Sequence, residues 1–133
     1  MKIAVCLIVF NGQPYIEKWM KHYVECHYFD YVCIAEGATQ NMVEVLGLKT
    51  AQSTDNTIDI IKSYNKNPKV RFVNAIIPYK EKLQQQNAYM DLVPDDTDYI
   101  WVADCDEFYH YSDIKIMYDL LNNFPGHTFL WEF

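Results

Sequence analysis

The run Tyr99-Ile100-Trp101-Val102-Ala103 passes without a spacer into Asp104-Cys105-Asp106-Glu107-Phe108. An apolar stretch with no polar alternation reads as a strand covered on both faces, the habit of a parallel sheet, and parallel strands demand crossover helices. Acidic residues at 104, 106 and 107 then crowd its carboxyl end, the edge where open α/β sheets bind ligands. Like charges so close together are unfavourable unless a cation sits between them, which points to a divalent metal. The alternative is a solvated acidic turn with helix-capping duties. A D-x-D by itself does not decide between the two.

The rest of the chain repeats this alternation. Residues 3–10 form a first apolar run; Asn11-Gly12 turns it, and Pro14 suits the first position of a helix. Ile16, Trp19, Met20, Tyr23 and Val24 recur at helical spacing. Residues 30–35 read as a second strand. Residues 37–52 read as irregular, with room for a short helix around Met42, Val43, Val45, Leu46 and Leu48. Ser53-Thr54-Asp55 offers helix caps ahead of Ile58, Ile60, Ile61 and Tyr64. Residues 70–74 form a short strand, and 80–92 a helix with Leu83 and Met90 a helical repeat apart. After the strand at 99–103, Ser112 or Asp113 caps a helix through Phe124, with Ile114, Met117, Tyr118 and Leu121 on one face. Pro125-Gly126 turns the chain into a last strand-like run at 128–133. Strand and helix in alternation predict a mostly parallel sheet with helices on both faces.

At 133 residues, half of them hydrophobic, the chain suits one domain with a real core and not a disordered segment. A formal charge of −7 argues against nucleic-acid binding through a broad basic surface and against docking on an anionic membrane. Nothing approaches the length of a transmembrane helix. The amino-terminal apolar run lacks a small-residue cleavage site and reads as a buried strand, not a signal peptide. Cys6, Cys26, Cys33 and Cys105 show no C-x-x-C spacing, so reduced thiols in a cytoplasmic protein are expected. His22, Cys26 and His27 could sit near each other on one helix, where a zinc site is conceivable, but no second ligand pair with zinc-like spacing accompanies them.

Taken in order, Phe10-Asn11-Gly12, Ala35-Glu36-Gly37, Ser53-Thr54-Asp55-Asn56-Thr57, Gln86-Asn87 and Asp104-Cys105-Asp106-Glu107-Phe108 resemble the nucleotide-sugar-binding half of a family-2-type glycosyltransferase with the GT-A fold. Trp131-Glu132-Phe133 resembles the strand that follows D-x-D-E-F in one branch of these enzymes. The resemblance implies a Rossmann-like sandwich over residues 1–133, truncated after the D-x-D region. It implies transfer of a sugar from a nucleoside diphosphate, by analogy UDP, to an acceptor hydroxyl of a carbohydrate, a lipid-linked sugar or a protein. Mn²⁺ or Mg²⁺ suits the oxygen-only donors. Asp106 would ligate the metal, and Asp104 would reach the metal-bound water, ribose or sugar. Glu36 would face the base or ribose, with Asp55, Lys82 and Asn87 bordering the nucleotide. Glu107 would orient the turn, and His110 is expected on the surface. Residues 37–52 are longer than the link usual in this family, and the acceptor half with its catalytic base is expected beyond the D-x-D. No residue here takes the base's role.

Three other readings compete. A sugar-phosphate nucleotidyltransferase would show a Gly-rich basic loop after the first strand, where this chain has Asn11-Gly12-Gln13-Pro14. A haloacid-dehalogenase-type phosphatase places its D-x-D after the first strand and follows it with Thr or Val. A domain that binds nucleotide sugars without transferring them predicts binding with no turnover.

Overall fold

The computed structural model describes residues 1–126; the strand-like run expected at 128–133, Trp131-Glu132-Phe133 included, lies outside them. Four apolar segments become strands: β1 (Ile3–Val9), β2 (Tyr31–Glu36), β3 (Val70–Asn74) and β4 (Tyr99–Val102). All pair in parallel, in the order β3-β2-β1-β4. Five helices connect and follow them: α1 (Ile16–Glu25), α2 (Gln40–Leu46), α3 (Thr57–Ser63), α4 (Lys82–Met90) and α5 (Tyr111–Asn123).

The order follows from handedness. The chain steps outward from β1 to β2 to β3 with α1 and α3 on one face, then returns past β1 to β4 with α4 on the other. Right-handed crossovers require the helices to change face when the direction of travel reverses. On the first face Val5, Leu7, Val32 and Ile34 pack against Trp19, Tyr23, Phe29, Ile61 and Ile114 in the main core. On the second, the small side chains Ala4, Cys6, Cys33 and Ala35 form a floor for Tyr89 of α4. The expected class, a parallel sheet with helices on both faces, is what the chain adopts.

Several local expectations change. β4 is not covered on both faces: Ile100 is 40% and Val102 51% exposed. Both lie on the α4 side, in register with Ala4 and Cys6, whereas α4 packs chiefly over β2, β1 and β3. The buried face of α4 carries Gln85 and Tyr89, while Leu83 and Met90 face solvent. Helix α1 starts at Ile16, with Pro14 in the preceding turn after a cis Gln13–Pro14 bond. The cap of α5 is His110, whose ring accepts from Ser112 N, in place of Ser112 or Asp113. The apolar residues of α2 are not buried, and Gly47 ends that helix in the left-handed conformation. All four cysteines are free, as expected. No zinc set forms around His22, Cys26 and His27, since no metal-holding cluster of three His, Cys, Asp or Glu occurs among the described residues.

Candidate functional site

The loop leaving β1 sets the site. Backbone N–H groups beyond a strand end need partners, and here three successive ones find side chains from far along the chain. Asn11 N donates to Ser53 Oγ (2.8 Å), Gly12 N to Thr57 Oγ1 (2.8 Å) and Gln13 N to Asp55 Oδ2 (3.1 Å). Asn11 answers in reverse, its Oδ1 accepting from Thr54 N at 2.8 Å and Asp55 N at 3.4 Å. It does so with φ of 49°, a conformation Asn tolerates better than most residues. The S-T-D-N-T segment is therefore a row of acceptors for residues 11–13; the expected caps are not realised, since α3 begins after Asn56 with no side-chain cap bond, and Asp55 makes a local turn bond, accepting from Thr57 N at 2.9 Å. Burial works against the charge of Asp55, but hydrogen bonds from Thr57 and Gln13 outweigh it and hold its pKa below the ordinary value.

Gly12 is the knot. Its carbonyl accepts from Tyr15 N and Ile16 N, both at 2.9 Å, and from the Cys105 thiol at 3.6 Å. A Cβ there would lie 2.7 Å from Val9 Cγ2 and 3.2 Å from Cys105 Sγ, so only glycine lets the loop approach the acidic turn. That turn closes on itself: Glu107 N donates to Asp104 O (3.0 Å), and Asp104 N to Glu107 Oε2 (2.8 Å). The orienting role expected of Glu107 is visible in this bond. Tyr23 of α1 anchors the turn from behind through its hydroxyl to Glu107 O (3.0 Å).

Between loop and turn lies an open cleft of about 280 Å³, lined by Ile8, Val9, Phe10, Asn11, Gly12, Gln13, Tyr15, Cys105 and Asp106. It sits at the carboxyl ends of β1 and β4, where the strand order reverses. Such a switch point is the ligand crevice of open α/β sheets. The field there is acidic. Burial, then Asp106, Asp55 and Asp104, push the Cys105 thiol up to about 12, so Cys105 lines the cleft as a neutral thiol.

Of the expected residues, Asp106 lines the cleft, Asp104 is exposed at the start of the same turn, and Asp55 braces the loop opposite. Glu36 is fully buried under Ser53, whose N donates to Oε1 at 2.6 Å. Burial raises its pKa. Lys82 and Asn87 are exposed on α4, outside the cleft lining, and His110 is exposed as expected. Asn11, Gln13 and Tyr15 were not singled out from sequence. The Phe10-Asn11-Gly12 motif marked the place without revealing that its side chains and backbone make one wall. Gln85 was missed too; it is buried on α4 and donates through Nε2 to Gly37 O at 2.8 Å.

No protein-family model matches the sequence, and no curated protein matches it either. Solved structures do match. S. aureus TarS 1-349 superposes with a TM-score of 0.69 at 13% identity, over 92% of this chain and 33% of that one. Its complexes with UDP-GlcNAc and with UDP give TM-scores of 0.69 and 0.68, each at 13% identity over 92% of this chain and 32% of that one. TarS is a GT-A-type glycosyltransferase. The fold of this chain is the GT-A fold. The chain spans about a third of the length of those structures, so its GT-A character rests on the sheet, the crossovers and the crevice between β1 and β4. Among the described residues no helix is long and apolar enough to cross a membrane.

Proposed function

We propose that this chain is the donor-binding portion of a glycosyltransferase, seating the nucleoside diphosphate of a sugar donor in the cleft between β1 and β4. The observation that carries this reading is the cleft itself, at the switch point of a GT-A sheet, walled by residues 8–13 and Tyr15 and faced by Asp106. UDP is the favoured nucleotide because structures of the same fold hold UDP and UDP-GlcNAc. Tyr15, 47% exposed on the wall, offers a ring for the base to stack on.

The donor set fits a hard divalent ion. Asp106 and Asp104 are exposed carboxylates on one turn, and the neutral Cys105 thiol between them does not compete. Mg²⁺ and Mn²⁺ are commonly held by one or two carboxylates, with substrate phosphates and water completing the shell. A preformed cluster of three protein ligands is therefore not required, and none occurs among the described residues. When bound, such an ion neutralises charge gathering on a diphosphate leaving group. Asp106 would hold it, with Asp104 directly or through water; Glu107 fixes the turn, and Asp55, Ser53 and Thr57 fix the facing wall. The acceptor would be a hydroxyl of a carbohydrate, a lipid-linked sugar or a protein, met by polypeptide outside this portion.

The nucleotidyltransferase reading loses ground on a specific point. A phosphate-cradling loop needs free backbone N–H groups, and those of Asn11, Gly12 and Gln13 are all engaged by side chains. A domain that binds but does not transfer shares the cleft and differs only in turnover.

Thermal shifts measured with UDP, GDP, ADP and CDP, each with and without Mn²⁺, test the proposal. One nucleotide with metal is expected to stabilise the chain, by roughly 2.7 kcal/mol at a hundredfold excess over Kd. Asp106→Asn should remove the metal-dependent part and leave the unliganded stability within about 0.5 kcal/mol, since the side chain is exposed. Equal shifts in Asp106→Asn and the unmodified chain would overturn the assignment. Sugar transfer by a longer polypeptide carrying this portion, or its absence, separates enzyme from binding domain.

A further inference from the structure

Among the described residues Glu36 is the one buried acid, and it lies outside the lining of the cleft. Glu36 closes β2 at 0% exposure, between Val9 of β1 and Asn74 of β3 in register. Glu36 and Asn74 therefore leave the sheet on the same face, side by side. Glu36 Oε1 accepts from Ser53 N at 2.6 Å, but Oε2 is buried with no partner, and so is Asn74 Oδ1. Two buried orphan oxygens on side chains paired in register and on one face of the sheet are costly as they stand. A proton on Glu36 would serve both, making Oε2 a donor to Asn74 Oδ1.

We infer that Glu36 carries a proton on Oε2, shared with Asn74 Oδ1, and that this neutral pair positions Ser53 and, through it, the Asn11 wall of the cleft. The nucleotide part of this inference rests on the function proposed above. The chain of contacts is short. Ser53 presents its N–H to Glu36 and its Oγ to Asn11 N at 2.8 Å, and Asn11 lines the cleft. Glu36 is thus a positioning residue, one step removed from any ligand.

Burial outweighs the charges and hydrogen bonds around Glu36. Burial opposes ionisation of Glu36 most strongly; the Ser53 hydrogen bonds favour the anion, Asp55 opposes it and Lys62 of α3 favours it. Tyr79, whose hydroxyl donates to Glu36 O at 3.4 Å, is itself pushed up chiefly by burial. Lys62 makes no ion pair with Glu36 among the described residues. An uncompensated buried carboxylate takes up a proton.

Glu36→Gln copies the neutral acid, with an amide N–H in place of O–H, whereas Glu36→Ala leaves Ser53 N and Asn74 Oδ1 without partners. The infrared difference spectrum between the unmodified chain and Glu36→Gln at pH 7 should contain the C=O band of a protonated carboxyl group. A carboxylate pair of bands instead would overturn the inference and mean that Asn74 turns its amide to an ionised Glu36. In titrations with UDP and Mn²⁺, Glu36→Gln should bind within about threefold of the unmodified chain and Glu36→Ala roughly tenfold or more weakly, the scale of one lost buried hydrogen bond. Affinity of the unmodified chain should fall as pH rises through the elevated pKa of Glu36, and that of Glu36→Gln should not. Glu36→Gln binding as poorly as Glu36→Ala would refute the positioning role. Failure of the unmodified chain to bind any nucleotide would sink the proposed function, while the infrared band would still decide the proton.

Discussion

Thr57→Val isolates one bond of the cleft wall. Thr57 is 0% exposed, and its Oγ1 accepts the N–H of Gly12 at 2.8 Å in a buried setting. Valine has nearly the shape of threonine, so the substitution opens no cavity and leaves packing in place. What it removes is the acceptor. Gly12 is pinned by its carbonyl bonds to Tyr15 N, Ile16 N and Cys105, so its N–H cannot swing out to water. An orphaned buried N–H costs about 1–3 kcal/mol, and with neighbouring atoms held on both sides the expected loss is about 2 kcal/mol. Thr57→Ser is the control. It keeps the hydroxyl and loses a methyl group, at about 0.8 kcal/mol.

Urea unfolding followed by tryptophan fluorescence reads both variants. A loss of about 2 kcal/mol moves the midpoint down by about 1 M at an unchanged slope, for a slope near 2 kcal/mol/M. The valine variant should therefore unfold well before the serine variant. Equal midpoints would refute the reasoning, because packing alone would then explain Thr57 and the S-T-D-N-T segment would not be a row of acceptors. A lower slope in Thr57→Val would mean that the loop had already come free in the native state.

Two further substitutions probe different physics. Gly37→Ala should destabilise by more than about 2 kcal/mol in the same assay, because φ is +136° and a Cβ would lie 2.4 Å from Ala75 Cβ; Gly47→Ala, at φ +61° with nothing within 4 Å, should cost only about 1 kcal/mol. His22 stacks on Tyr111 at 4.9 Å, and burial lowers its pKa. The unfolded chain therefore takes up a proton near pH 6.5 before the folded one does, so stability present above that value declines as pH falls through the folded pKa. Replacing His22 by Phe should flatten the stability profile between pH 7 and 5, and an unchanged profile would show that His22 is not the group responsible.

The sequence was most legible where the physics is local. The apolar stretches at 3–10 and 30–35 became β1 and β2 because both faces of a central parallel strand are covered, and that leaves a mark on every residue. β4 carried the same mark, yet Ile100 and Val102 face outward, because position in the sheet is decided by partners elsewhere in the chain. Helix α4 misled for a related reason. Its floor is Ala4, Cys6, Cys33 and Ala35, and the residues chosen to meet it were Tyr89, which fills the space, and Gln85, which satisfies Gly37 O. The site divides in the same way. Asp106 at the cleft was legible from the D-x-D at a strand end. The duty of Ser53, Asp55 and Thr57 was not, since their partners lie 42 to 45 residues away and the same residue types are ordinary helix caps. Glu36 was expected to face the base or ribose, yet it is fully buried outside the cleft lining; carboxylates are seldom fully buried, and an orphan oxygen cannot be seen without its neighbours.

The bracing of the β1–α1 loop also bears on how a ligand enters the cleft. An anion is commonly held by free backbone N–H groups or by basic side chains. Here the N–H groups of residues 11–13 are engaged by Ser53, Thr57 and Asp55, and no lining residue is basic. What the cleft presents instead is Asp106, with Asp104 and Asp55 close enough to act on the same thiol. Neither Asp104 nor Asp106 forms an ion pair among the described residues. A diphosphate entering alone would meet negative charge with nothing to offset it, and a cation alone would lack the oxygens that complete its shell. On the proposed reading each ligand would supply what the other needs, so their binding would be coupled, and coupling is reciprocal. On the proposed reading the metal should therefore raise nucleotide affinity by the same factor that the nucleotide raises metal affinity. Nucleotide binding that is strong without metal would mean that the phosphates lie away from the acidic turn.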